Sequence, residues 1–177
     1  MSISKIAFLE IYSLDNNEGV MGAILVTDAD TKPLEFRVTA PIKPTNFQKT
    51  LYGNVLMEHV LVELISVPLL AAINQEIDLI LVRDPLFLGA NNKQGVRVIR
   101  VYNHDGTPAK SGTTVKEITS TNGEISKISL ETLKKFENEL PEIKDRLVPI
   151  SENRNLLEPF ERLQTACEQV HLQKTGE

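Results

Sequence analysis

Apolar residues crowd both faces of residues 5–12 (KIAFLEIY) and again of residues 20–27, the pattern of strands covered on two sides. Asn16, Asn17, Glu18 and Gly19 form a turn cluster between them, and the polar run 28–33 makes a second connection. In residues 34–39, Leu34, Phe36 and Val38 alternate with Glu35, Arg37 and Thr39. That alternation predicts a strand with one wet face, at or near a sheet edge. The three strands read as an antiparallel meander. Pro41 and Pro44 stop the third, and Thr45 or Asn46 can cap a helix whose apolar face runs through Phe47, Leu51, Val55, Leu61, Leu64 and Ile65. Gly53 and Pro68 are flaws in that helix, so a break is expected near residues 66–68, with Ser66 capping a short second helix through Ile73. Residues 78–82 (DLILV) then read as a buried parallel strand, with residues 96–101 beside it.

This order predicts an α/β protein built on a mixed five-stranded sheet: an antiparallel three-stranded meander, a helix crossover and two further strands, with flanking helices. Residues 1–177 are expected to form a single domain with its core in 1–102. Residues 103–128 are rich in Gly, Ser, Thr and Asn and read as a polar hairpin excursion turning at Asn122-Gly123, or else as a loop. Residues 129–177 read as helical. Leu130, Leu133, Phe136 and Leu140 share one side of a first helix. Leu156, Phe160, Leu163, Cys167 and Val170 form the apolar stripe of the last one, after a polar stretch at 151–155. That stripe has to dock on the sheet or on a partner.

Composition narrows the functions. The net charge of −5 and pI near 5.3 disfavour wholesale coating of nucleic acid. A single cysteine, Cys167, excludes an internal disulfide framework and a cysteine zinc cluster, and its place on a helical apolar stripe predicts a buried, inert thiol. The N-terminal stretch lacks the basic segment of a secretory signal, and Glu10 interrupts its apolar run. The richest apolar stretch, 55–73, contains Glu58, His59, Glu63 and Pro68, which fits a buried helix and not a membrane span. A cytoplasmic protein is expected. Neither standard glycine-rich phosphate loop occurs, nor a nucleophile elbow, a paired-histidine zinc helix or a calcium loop.

The candidate chemistry rests on carboxylates. Glu10 sits between Leu9 and Ile11 in an otherwise apolar strand, where a carboxylate must be paired, protonated or metal-bound. A salt bridge to Arg37 or Arg83 is the plain alternative. Asp84 ends the strand LILVRD, at the carboxyl edge where open α/β sheets place their ligands, although Asp before Pro also starts turns. His59 and Glu63, four apart, share a helix face that can offer two metal ligands, but a surface salt link or a packed histidine explains them as well. Asp28 and Asp30 read as turn formers. The basic runs Arg37, Lys43, Lys49 and Lys93, Arg97, Arg100 read as solvated faces.

Residues 5–101 resemble the ribonuclease-H-like fold, and their element order is similar to that of endonuclease V. The resemblance implies a metal-binding acid on the first strand, here Glu10. It implies a second at the end of the strand after the main helix, here Asp84, and a third near that helix, for which Glu58 or Glu63 is nearest. It also implies Mg²⁺ or Mn²⁺ as cofactor. Two departures stand out: the first-strand acid is Glu where those nucleases usually carry Asp, and Asp84-Pro85-Leu86 replaces a glycine-rich signature. The reading that follows is a non-catalytic accessory subunit acting through a protein partner or a second copy, with Leu156, Phe160, Leu163 and Val170 as its contact stripe and no membrane. A divergent metal-dependent nuclease built on Glu10, Asp84, Glu58 and Glu63 is the alternative, and a small-molecule-binding regulatory domain the third.

Overall fold

The computed structural model describes residues 2–15, 18–119 and 127–175. The meander is β1 (Lys5–Ser13), β2 (Val20–Asp28) and β3 (Pro33–Val38). After it come the long helix α1 (Asn46–Ala72), β4 (Leu79–Val82), a 3-10 helix (Pro85–Asn92) and β5 (Val98–Tyr102). β6 (Thr113–Ile118), β7 (Ile128–Leu133), α2 (Leu140–Asn153) and α3 (Glu158–Thr175) complete the chain. The sheet has seven strands in the order β3-β2-β1-β4-β5-β7-β6. β1 runs antiparallel to β2 and parallel to β4, β4 is parallel to β5, and β7 is antiparallel to both β5 and β6. The meander, the crossover and the edge position of β3 match the sequence pattern.

Five strands become seven because residues 113–118 and 128–133 pair with each other and dock on β5. The expected helix from Ser129 is corrected by this. Leu130, Leu133 and Phe136 imitate a helical spacing, but β5 offers a free edge, and Ile128 and Leu130 bury on the sheet face. Pairing partners override the local pattern. The expected turn at Asn122-Gly123 lies outside the described residues.

Strand alternation splits the core into two layers. Ile6, Phe8, Leu25, Leu79, Leu81 and Ile99 face α2 and α3, while Ala7, Leu9, Ile24, Val26, Ile80 and Val82 face α1 and the 3-10 helix. Thr45 caps α1 through a capping box with Gln48. No break occurs at Pro68. Residues Val60–Ser66 widen into a π turn, the Val67 N–H reaches back to the Val62 carbonyl, and the Ser66 hydroxyl donates to the Leu61 carbonyl at 2.7 Å instead of capping a new helix. A widened turn relieves the ring clash and missing donor that proline imposes. Gly22 lets this turn press on β2, since a Cβ there would lie 2.3 Å from an Ile65 methyl. By length and composition α1 is apolar enough to cross a membrane. Here its Val60, Leu61, Ile65 and Leu69 line the core, while Phe47, Leu51 and Val55 are exposed.

Candidate functional site

A cleft of about 530 Å³ opens at the carboxyl ends of β1 and β4, and its lining includes Glu10, Arg83, Asp84, Arg100, Asn103, Asp105, Thr107 and Glu161. Two parallel strands ending side by side leave such a crevice, because the connections after them diverge. Glu10 follows Ile6 and Phe8 on the α3 face of β1 and is nearly fully buried. Its Oε2 accepts from Arg83 Nε at 2.9 Å and also from Nη2, while Oε1 accepts the Ile11 N–H at 3.2 Å. Burial pushes the Glu10 carboxyl above the ordinary range, and the charge and hydrogen bonds of Arg83 offset only part of that. The Arg83 guanidinium lies over the Phe160 ring of α3, 5.2 Å from its centroid, and this packing fixes its direction.

Asp84 points its Oδ1 at the Leu86 N–H at 2.9 Å, capping the 3-10 helix that Pro85 begins. The second Asp84 oxygen is not used in that cap. The structure therefore puts Glu10 and Asp84 on one cleft. Glu58 and Glu63 stand elsewhere. They lie on α1, which covers the other face of the sheet, and line a separate depression with Tyr52, His59, Gly89 and Lys93. Glu63 pairs with Lys93 at 2.7 Å, and His59 stacks on Tyr52 at 4.5 Å, so these two residues are engaged with different partners. Four carboxylates do not converge.

Arg100 and Glu131 escaped the sequence reading, which took one for a solvated cation and placed the other in a helix. Both are buried and paired at 2.9 Å. Arg100 also donates to the Arg83 carbonyl at 3.2 Å and to the carbonyl and hydroxyl of Thr107 at 2.7 Å each. Glu131 takes the Lys110 N–H at 2.8 Å. This network straps residues 103–113 across the cleft's edge. The signal was a charged residue in each of two strands at facing positions, visible only once the pairing Arg100 to Glu131 is known. Two other cations of those runs are tied as well: Arg37 to Glu35 at 2.7 Å and Arg97 to Glu139 at 3.3 Å. Asp28 accepts the Asp30 and Lys32 N–H groups, as a turn former does. Cys167 is buried, and desolvation, with the nearby Glu10 charge, pushes its thiol up to about 11.

A divalent metal centre of the kind the resemblance implied needs carboxylates converging on the ion. Among the described residues no group of three or more His, Cys, Asp or Glu side chains is placed to hold one. The buried carboxylate is already bound to a guanidinium. The donor set does not fit a metal.

No family model and no curated protein matches the sequence. Solved structures match its fold. Endonuclease V of Streptomyces avermitilis superposes with a TM-score of 0.67 at 11% identity, covering 98% of this chain and 84% of that one. The fold is that of endonuclease V. The Bacillus subtilis endonuclease V gives 0.58 at 16% identity over 97% and 83%, and the human one 0.51 at 9% over 99% and 87%. At such identities the likeness to endonuclease V is one of fold, and it extends well past residues 5–101. It overturns the accessory-subunit expectation, since the neighbours are nucleases. The expected partner surface falls on physical grounds too. Leu156, Phe160 and Leu163 are buried in the core beneath the sheet and have no face left for a protein partner or second copy; Val170, at the end of the same stripe, is half-buried.

Proposed function

We propose that the protein is a divergent nuclease that acts on nucleic acid in the Glu10–Asp84 cleft. The observation that carries this reading is the coincidence of that cleft with the carboxyl ends of parallel β1 and β4, in the endonuclease V fold. The net charge of −5 argues against a polyanion; in the cleft Arg83 cancels Glu10 and Glu131 cancels Arg100, while the acids Asp84, Asp105 and Glu161 also line it. What faces the phosphodiester is the outer edge of Arg83 and the polar groups of Asn103 and Thr107. Asp84, with one oxygen outside its helix cap, is the group positioned to take a proton from an attacking water. Asp105 at the rim is 79% exposed and lies 3.3 Å from His104, so water screens its charge.

The test is cleavage of end-labelled single- and double-stranded DNA and RNA, each with EDTA, Mg²⁺ or Mn²⁺. The expected result is a product ladder that Asp84→Asn reduces at least tenfold while the circular dichroism spectrum is unchanged. No cleavage of any substrate in any buffer overturns the reading, as does cleavage that Asp84→Asn leaves intact.

A further inference from the structure

The cleft contains its own cation, and the chemistry of that cation decides how a phosphodiester would be held. Two nitrogens of Arg83, Nε and Nη2, are committed to a single oxygen of Glu10. Among the described residues no group hydrogen-bonds its Nη1, and the side chain is 39% exposed on a cleft-lining residue. One edge of the guanidinium fork is thus anchored and the other is presented. An anchored fork is preorganised: it loses little rotamer freedom when an anion arrives, and its planar donors match a phosphate. The same anchoring changes the status of Glu10. A buried carboxylate needs a positive partner, and here a covalently attached one already occupies that place.

We propose that Arg83 is the built-in cation of this centre: it takes the Glu10 carboxylate in the place of a divalent ion and offers its free edge to a phosphodiester. Nucleic acid is then bound without divalent metal. This rests on the reading that the cleft takes nucleic acid. A divalent ion entering beside the guanidinium would meet like charge and find its best ligand engaged, with Asp84 turned partly toward the Leu86 N–H. The carboxylates of Asp84, Asp105 and Glu161 border the same cleft and oppose an anion, so the binding is modest and weakens as salt competes for the one free cationic edge.

The experiment is fluorescence anisotropy of the full chain with a labelled single-stranded 20-mer, DNA and RNA in turn, in EDTA and in millimolar Mn²⁺. The expected Kd is the same within twofold in the two buffers. Arg83→Met weakens it at least tenfold in both, and Arg83→Lys, which keeps the charge but loses the fork, falls between. Glu10→Gln removes the negative charge beside the guanidinium and keeps or tightens binding. Binding that appears only with Mn²⁺, or that a folded Glu10→Gln variant loses, overturns the proposal. Absence of binding in both buffers overturns the nucleic-acid reading instead. Thermal melts then decide the metal half separately: a Tm unmoved by Mn²⁺ sustains Arg83 as the resident cation. A rise of several degrees that Glu10→Gln abolishes refutes it.

Discussion

Replacing Glu131 by alanine should destabilise the fold by about 3–5 kcal/mol, the range seen when one partner of a buried ion pair is removed. The structure says where that cost arises. Glu131 is fully buried on β7, and its Oε1 lies 2.9 Å from Arg100 Nη1. Alanine leaves the Arg100 charge buried without its counter-charge, at a site where Arg100 is only 2% exposed. It also orphans the Lys110 N–H, now 2.8 Å from Oε2. The Thr113 hydroxyl is placed 2.6 Å from both Oε2 and the Lys110 carbonyl. One proton serves only one of these, so alanine lets that bond move to the carbonyl at little cost. The orphaned charge is therefore the larger effect. A double-mutant cycle isolates it. Arg100→Met should cost a similar amount, but the double variant Arg100→Met/Glu131→Leu should cost far less than the two singles together, because no charge is left unpaired. Urea unfolding of the four proteins, followed by circular dichroism, measures each step. A loss below about 1 kcal/mol for Glu131→Ala, or singles that simply add, would refute the assignment of a buried, mutually dependent pair.

Three further outcomes follow from named contacts. Phe160, buried edge-on to Phe8 with centroids 5.4 Å apart, should cost about 3–5 kcal/mol on truncation to Ala, lowering Tm by roughly 6–20 °C; sedimentation of a wild-type dimer that dissociates in this variant would instead restore an interface role. For Glu10, burial makes the folded carboxyl hold its proton more tightly than the unfolded one, so its contribution to stability is greatest at low pH and declines as pH rises through the folded pKa. Glu10→Gln should accordingly gain on wild type between pH 4 and 7 in urea melts, and a wild type that gains on the variant over that window has the sign reversed. Asp78 behaves oppositely: burial opposes ionisation, but the Ser4 and Lys5 N–H groups and the Ser4 hydroxyl, all within 3.0 Å, leave its pKa lowered. Asp78→Asn should therefore lose about 1–2 kcal/mol at pH 7 and progressively less as pH falls through the folded pKa, since a protonated wild type has already lost these charge-assisted bonds; a loss independent of pH contradicts this.

The first four strands in this order were legible because each carries its own evidence. β1 and β2 are apolar on both faces, β3 alternates, and β4 is a short apolar run after a helix, so local pattern and final environment agree. β7 was not legible in this way. Its residues, ISLETL, place Glu131 and Thr132 in full burial, and nothing local announces that a glutamate will be core. Only the cross-strand position of Arg100 makes that burial tolerable, and the two are 31 residues apart. The Pro68 break failed for a related reason. A proline forbids the regular ladder but not a widened one, and here the widened turn packs Ile65 against Gly22.

At the site, Glu10 and Asp84 were found by two different rules, an acid in an apolar strand and an acid at the end of a parallel one, and both residues do line the cleft. The rules locate a carboxylate; they do not say what its partner is. That depends on Arg83, one residue before Asp84, whose side chain follows Leu79 and Leu81 onto the α3 face and so meets Glu10 across the β1–β4 pair. Strand alternation alone dictates this meeting once β1 and β4 are known to be parallel neighbours with Leu9 opposite Val82. An apolar residue at position 83 would leave Glu10 buried and in need of another cation. The arginine removes that need. The identity of a single residue beside the β4 terminus thus decides whether the buried Glu10 carboxylate is free or bound to a guanidinium.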